Sequence, residues 1–333
     1  MARNFTHRRA IRDKTPLLVG LVGPSSSGKT FSALRLATGF QRVNPGKIFV
    51  IDTEAGRAKL YADEFTFEHV PFGAPFAPYD YLDVIKYCIE QGATSIVIDS
   101  MSHEHEGAGG LLEMHAEEHK RLGGKPQTSG FAWTKPKSEH RRLINTILQF
   151  SCDFIFCFRA RQKLDWNVKD ANGKRTDPVP LGFMPIGDET WMYESTMQAL
   201  LLPGSRGVPT WKSDMPGEKE HVIKMPGFFE KIFASNPQLS EDVGEQMARW
   251  AAGKVATQAK KAAELIVDYI ACSEPSEYRR LEEIRKVSWS SYSKDEKAQV
   301  KAASEMTAKK IEDAAKAPVA EPISDDESEQ GAA

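Results

Sequence analysis

The sequence predicts an α/β fold in which a mostly parallel central sheet is flanked by helices, with a small helical domain after it. Three observations support this. Short apolar runs at 17–22, 47–52, 95–99 and 153–158 alternate with helical patterns, and strands alternating with helices build a parallel sheet. Between the first run and the helical pattern at 31–40 lies Gly23-Pro24-Ser25-Ser26-Ser27-Gly28-Lys29-Thr30, a loop of small residues at a strand-to-helix junction. From Ser240 onward the pattern is helical. The expected organisation is a basic arm at 1–15, an α/β domain at 16–239, a helical domain at 240–317 and an acidic tail at 318–333.

The first domain is organised around that loop. Its glycines and serines let the backbone curl until successive N–H groups point inward, and the helix after it adds unpaired first-turn donors and roughly +0.5 of partial charge. An anion belongs there. Lys29 can reach the outer phosphates of a nucleotide, and the Thr30 hydroxyl is placed to ligate Mg²⁺. Gly23, Pro24, Ser25, Ser26, Ser27, Gly28, Lys29 and Thr30, with Phe31 opening the helix, are the candidate nucleotide-binding residues.

After a turn at Asn44-Pro45-Gly46, the run 47–52 ends in Asp52, with Thr53 and Glu54 beyond it. This is the strand edge where open parallel sheets bind ligands, so Glu54 falls beside the phosphate loop if the first two strands are neighbours. A short strand is expected at 67–72 and a helix at 79–91. The run 95–99 ends in Asp99, a carboxylate placed to hold the water shell of Mg²⁺. Glu104 and Glu106 lie just past it and rival Glu54 as the water-activating base. His115 and His119 share a helix face, as zinc ligands can. No cysteine joins them, and the pattern favours histidines that face solvent or nucleic acid.

Residues 123–130 have the composition of a mobile loop, and Phe131, Trp133, Lys135 and Lys137 follow. Basic residues interleaved with aromatics suit stacking and phosphate neutralisation on single-stranded nucleic acid. A buried Trp anchoring the loop fits the same pattern. Ser138 is expected to cap a helix running to Phe150. The strand at 153–158 delivers Arg159, Arg161, Gln162 and Lys163 to the ligand edge, to sense a terminal phosphate or carry its loss to a nucleic-acid site. Asn172-Gly173 signals a hairpin between 164–169 and 174–179, a basic ribbon carrying Trp166, Lys169, Lys174 and Arg175. Later strands are expected at 197–202 and 208–211, with Lys212 at the end of the second.

Composition narrows the class. A formal charge of −2 over 333 residues excludes a histone-like protein and leaves room for a local basic groove. Cys88, Cys152, Cys157 and Cys272 lack Cys-x-x-Cys spacing, which predicts reduced, buried thiols in a cytosolic protein. With no apolar signal core and no apolar run of about 18 residues, the expectation is a soluble cytoplasmic protein without a membrane partner.

In the last quarter, Gly253 stops a first helix begun at Ser240, and segments at 255–272 and 275–287 follow. Ser293-Lys294-Asp295-Glu296 opens a helix to about Ala317 with a capping box. The last three helices predict an interaction or oligomerisation module. The tail, acidic and without aromatics, is expected to be disordered and able to compete with nucleic acid for a basic groove.

Together these residues resemble the RecA-type recombinase ATPases and, in overall plan, the phage-encoded RecA-like ATPases of single-strand annealing and recombination. The likeness is densest from Val22 to Ala62. Gly23 to Thr30 is similar to the recombinase phosphate loop, with Ser25 where that family often has Glu. Phe49-Val50-Ile51-Asp52-Thr53-Glu54 looks like the family strand whose Glu activates the attacking water, which favours Glu54 over Glu104. Tyr61-Ala62 keeps a Tyr-Ala pair whose ring stacks on adenine in the family, and Ile96 to Ser100 is similar to its magnesium-side strand. Ala58 replaces an acid that contacts the adenine amino group. Arg159-Ala160-Arg161-Gln162 stands where the family has Asn-Gln. Of a Lys-x-Arg finger reaching the neighbouring subunit only Lys212 remains.

The resemblance implies an ATP- and Mg²⁺-dependent ATPase that assembles as a homo-oligomer, ring or filament, on single-stranded DNA. Lys29, Glu54 and Asp99 are its catalytic candidates. Arg159, Arg161 and Lys212 are sensor or trans-acting candidates, and Trp133, Lys135, Lys137, Lys174 and Arg175 are DNA-binding candidates. A single-strand-binding protein or another recombination partner is expected at the C-terminal helices or tail, in the host cytoplasm if the chain is phage-encoded. A hexameric helicase-like motor would differ by unwinding a forked duplex, and an ATP-switched scaffold by lacking DNA-stimulated phosphate release.

Overall fold

The computed structural model describes residues 7, 14–168, 172–253, 261–289 and 292–316. Most of the basic arm and all of the acidic tail lie outside the described residues, as does Lys169 of the ribbon. The chain divides into two compact units, residues 13–253 and residues 1–12 with 254–333.

In the larger unit β1 (Leu18–Gly23) leads to α1 (Lys29–Val43), β2 (Lys47–Asp52), a 3-10 turn at Arg57–Tyr61, β3 (Glu68–Pro71), α2 (Pro78–Glu90) and β4 (Ala93–Asp99). Next come α3 (Ser102–Glu106), α4 (Leu111–Arg121), α5 (Ser129–Ala132), α6 (Thr134–Ile147), β5 (Asp153–Asp165) and β6 (Val179–Pro185). The unit ends with α7 (Thr190–Glu194), β7 (Met197–Leu200), α8 (Pro216–His221), α9 (Glu230–Phe233) and α10 (Glu241–Ala251).

Six strands run parallel in the order β3-β2-β4-β5-β1-β7, and β6 pairs antiparallel with the outer half of β5. The two-residue period of the strands sends alternate side chains to opposite faces. Val19, Leu21, Val50, Val97 and Ile155 pack beneath α1 and α10, while Val22, Ile51, Ile98, Phe154 and Phe156 pack against α2 and α6. Register places Gly23 opposite Arg159, Asp99 opposite Cys157 and Asp52 opposite Asp99. The C-terminal ends of β1, β2 and β4 therefore share one edge, which β5 crosses at Cys157 to Arg159.

Several expectations are corrected. The strands β1 and β2 are not neighbours, because β5 and β4 lie between them. β5 continues to Asp165, so Arg159, Arg161 and Lys163 lie within it, and the hairpin register is set by pairs such as Lys163 with Gly182. Beyond those strands Thr176 N–H donates to Val168 O at 3.0 Å, so the pairing keeps its register toward Asn172-Gly173, as the hairpin signal predicts; residues 169–171 lie outside the described residues. Residues 208–211 form no strand; Thr210 makes a single bridge to Leu200, as expected of a segment interrupted by Pro209. Helix α6 starts at Thr134, with Ser138 in its interior; Pro136 is tolerated because it falls in the first turn. The domain boundary lies after Gly253 and not at 239/240, because α10 packs on α1. A Cβ on Gly39 or Gly244 would strike the backbone of the other helix.

The smaller unit contains α11 (Ala262–Ala271), α12 (Pro275–Ser288) and α13 (Lys294–Lys316). Leu265, Tyr269, Leu281, Ile284 and Val300 form its core. The capping box closes in both directions, Ser293 N–H donating to Glu296 Oε2 at 2.8 Å and Glu296 N–H to Ser293 Oγ at 3.3 Å. All four cysteines are buried and free. No helix among the described residues is long and apolar enough to cross a membrane.

Candidate active site

β1 ends at Gly23, where a Cβ would collide with Leu201 O and Ser27 Oγ. The chain then curls through Ser26 at φ 62° and Gly28 at φ 87° into α1. No side chain caps α1 and no acid sits in its first turn, which leaves its leading N–H groups directed at the loop. Ser27 Oγ is buried without a hydrogen-bond partner among the described residues. Lys29 Nζ donates to Gly23 O at 2.9 Å and Pro24 O at 2.8 Å, and burial pushes its pKa down while Asp99 and Glu54 act to raise it. These features fit a polyphosphate.

Thr30 Oγ1 donates to Asp99 Oδ2 at 2.5 Å. Burial raises the Asp99 pKa, and the Thr30 hydrogen bond opposes the rise. Two hard oxygen donors, one from the head of α1 and one from the end of β4, thus sit side by side, the donor set Mg²⁺ prefers.

Across the cleft, Asp52 accepts the N–H of Glu54 at 2.7 Å and of Ala58 at 3.0 Å and pairs with His69 Nε2 at 3.0 Å. This pins the turn that presents Glu54. Glu54 Oε1 accepts from Arg159 Nε at 2.7 Å and Nη2 at 2.6 Å, and its Oε2 lies 3.6 Å from Arg57 Nη1. Thr53 Oγ1 accepts the Ser100 N–H and contacts His103 Nδ1, both at 2.6 Å, which ties this turn to the end of β4. Tyr61 closes the wall, its ring 5.8 Å from that of Phe31, which meets Phe65 at 5.3 Å.

The result is a cleft of about 490 Å³ lined by residues 25–30, Glu54, Arg57, Leu60, Tyr61, Asp99, Glu106, Arg159, Ala160 and Ile186, within the range of small-molecule sites. A family model described as an AAA domain matches residues 15–178. The match indicates an AAA/P-loop NTPase-type fold over those residues. No curated protein matches the chain. The AAA-domain match spans β1 to β5 and so includes the loop, Glu54, Asp99 and Arg159, and it stops just before β6. An AAA-type domain implies nucleotide binding, typically with Mg²⁺.

The cleft gathers Ser25 to Thr30, Glu54, Tyr61, Asp99 and Arg159 from the candidates; Gly23 and Pro24 hold Lys29, and Phe31 backs Tyr61. Glu54 reaches it although two strands lie between β2 and β1, its carboxylate meeting Arg159 of β5. Glu104 is withdrawn as a rival base: it is fully buried and its Oε1 lies 2.6 Å from His140 Nδ1. Glu106 remains in the lining. Ala58 is buried in the core, with no side chain to offer a base.

Other candidates lie elsewhere. Arg161 is on the exposed part of β5, and Lys212 lines a separate groove with Gln162, Thr210 and Glu218. Trp133 stacks on His115 at 4.3 Å, so one face of its ring is taken. Lys135 and Lys137 are exposed on α6, and Lys174 and Arg175 are exposed in the β5–β6 connection. His115 Nε2 contacts Ser129 O at 3.0 Å and His119 Nε2 contacts Lys125 O at 2.9 Å. They bind the segment expected as a mobile loop to α4, and among the described residues no His, Cys, Asp or Glu group forms a metal cluster.

Sequence reading passed over Asp52, Arg57, Leu60 and Ile186. An acid two residues before a backbone N–H is the signal of an Asx turn and would have found the first. Ile186 comes to the cleft through its N–H bond to Arg159 O at 2.8 Å, a tertiary pairing with no local trace.

Proposed function

We propose that this chain is an ATP- and Mg²⁺-dependent ATPase of the RecA-like kind, acting as a homo-oligomer on single-stranded DNA in recombination or strand annealing. The observation that carries the ATPase reading is the juxtaposition, in one cleft, of the Thr30–Asp99 pair, the Lys29 ammonium and the Glu54 carboxylate. Mg²⁺ held by Thr30 and Asp99 would supply charge neutralisation at the phosphates. Lys29 exchanges its two carbonyl partners for phosphate oxygens. Glu54 orients a water molecule and takes its proton, and Tyr61 offers a face to the base. Arg159 contributes positive charge where the terminal phosphate is expected.

The DNA reading rests on the β5–β6 ribbon. It carries Arg161, Lys163, Lys174 and Arg175, and Trp166 is 67% exposed, the combination of cation and stacking surface that single strands use. Its base enters the nucleotide cleft at Arg159 and Ile186, which gives the ATP state a short path to the ribbon. Val267, Ile270 and Met306 on α11 and α13 are exposed, in keeping with a module that docks a recombination partner.

ATPase rate measured with and without single-stranded DNA across a salt series tests both parts. Stimulation that falls steeply with salt is expected, because phosphate contacts release counterions. Lys29→Ala should abolish turnover, and Glu54→Gln should bind ATP yet turn it over at least roughly 100-fold more slowly. Turnover without any DNA stimulation would remove the DNA part and leave the ATPase part standing.

A further inference from the structure

We infer that a cavity at the root of the β5–β6 ribbon takes the polar edge of one pyrimidine base of a bound single strand, an inference that rests on the ribbon being the DNA-binding element. Gln198 lies in β7, whose four residues are all buried, and is itself 2% exposed. Gly20, its partner in the β1 register, leaves it room, since a Cβ there would stand 3.0 Å from Gln198 Cγ. Trp191 of α7 is 3% exposed, its ring 4.7 Å from that of Phe156. Among the described residues Gln198 Oε1 and Trp191 Nε1 have no hydrogen-bond partner, and both residues line one cavity of about 70 Å³. A buried acceptor and a buried donor left unmet are costly, so a ligand that supplies both partners is favoured there.

The pair is held in place before any ligand arrives. Gln198 N–H donates to Lys224 O at 3.0 Å and Lys224 N–H to Gln198 O at 2.9 Å, while the Lys224 ammonium donates to Met192 O, Tyr193 O and Ser195 O at 3.0, 2.8 and 2.6 Å. One residue thus ties β7 to the end of α7. The occupant must accept from the indole N–H and donate to the amide oxygen along a single edge. Thymine does so with O4 and N3–H, and cytosine with N3 and its amino group. Size narrows the choice: about 70 Å³ is on the order of two water molecules' share of the liquid, room for the edge of one six-membered ring and not for the fused rings of a purine. Phe158 of β5 and Met184 of β6 supply apolar wall for the ring. The Asp188 carboxylate, also in the lining, repels a phosphate, whereas Lys163, exposed on β5, meets the phosphate beside the inserted base.

Binding of labelled oligo-dT, oligo-dC and oligo-dA of equal length is measured for the unaltered chain, Gln198→Met and Trp191→Phe, which keep apolar bulk and remove the polar atom. The unaltered chain should favour the pyrimidine strands by at least about fivefold, the low end for a good two-point base contact. Either substitution should cut that preference below about twofold, with the oligo-dA affinity changed less than the oligo-dT affinity. Binding of a fluorescent ATP analogue shows that each variant is folded. A second measurement needs no variant: ultraviolet crosslinking of a single strand carrying 5-iodouracil should mark the segment 184–192. A pyrimidine preference that survives both substitutions, no preference in the unaltered chain, or crosslinks confined to Trp166 and the rest of the ribbon overturns the inference while DNA binding stands. No binding of any of the three strands removes the DNA reading and the inference with it, and leaves the ATPase reading in place.

Discussion

The carboxylate of Asp52 is 2% exposed and accepts two backbone N–H groups, from Glu54 and Ala58, besides contacting His69. An unsatisfied buried donor costs about 1–3 kcal/mol. Asp52→Ala strands two of them, so a loss of about 2–4 kcal/mol in urea unfolding is expected, together with weaker ATP binding, as the turn that bears Glu54 and Tyr61 loses its pin. A loss below about 1 kcal/mol would mean that water replaces the carboxylate. At this scale the convergence of Lys29, Thr30 and Asp99 on one cleft was legible because each is fixed by a short motif at a strand end. Glu104 was misleading for the opposite reason: its partner His140 is 36 residues away on another helix, and nothing near Glu104 in the chain announces that it turns inward.

Among the elements, α3, α6 and the segment after β6 meet at a buried charge cluster. His140 Nδ1 lies 2.6 Å from Glu104 Oε1, and its Nε2 lies 3.6 Å from Asp188 Oδ1, with the Trp191 ring edge-on at 5.8 Å. Burial alone would push the His140 pKa down, but pairing with Asp188 and Glu104 outweighs it and raises it to about 9; the same pairing pulls Asp188 below the usual carboxylate range. A histidine whose folded pKa exceeds its unfolded value adds stability that is full below about pH 6.5 and is lost as pH rises through about 9. The effect is on the order of 3 kcal/mol. His140→Gln should remove this slope: chemical unfolding from pH 6 to 10 would show the unaltered chain losing its advantage over the variant. Parallel curves would place the stabilisation elsewhere. The strands around this cluster were legible as apolar runs, since burial on both faces leaves a continuous hydrophobic signature. Strand order was not, because β5, which starts at Asp153, enters between β1 and β4, which ends at Asp99; the β5–β6 ribbon was legible at its tip, its pairing running in register toward Asn172-Gly173.

At the scale of the molecule, the buried clusters sort by unit. Among the described residues, one lies on each face of the sheet within residues 13–253 and a third lies within the helical unit. Change of pattern at Ser240 suggested a boundary, yet α10 completes the first of these clusters with Val243, Met247, Ala248 and Ala251. Arg35 adds an ion pair to Glu241 at 2.7 Å. Gly39 and Gly244 allow the backbones to approach so closely that any side chain would part them. Val243 and Met247 alone stabilise by about 1.5–3 kcal/mol each, and a domain of this kind has only about 5–15 kcal/mol in all. A fragment ending at Gly253 should therefore unfold in urea as one cooperative transition, while one ending at Leu239, with the apolar face of α1 uncovered, should show a shallow, non-cooperative transition and bind hydrophobic dye. Equal cooperativity in the two fragments would mean that α10 belongs with the helices after it and that the α/β unit closes its core without it.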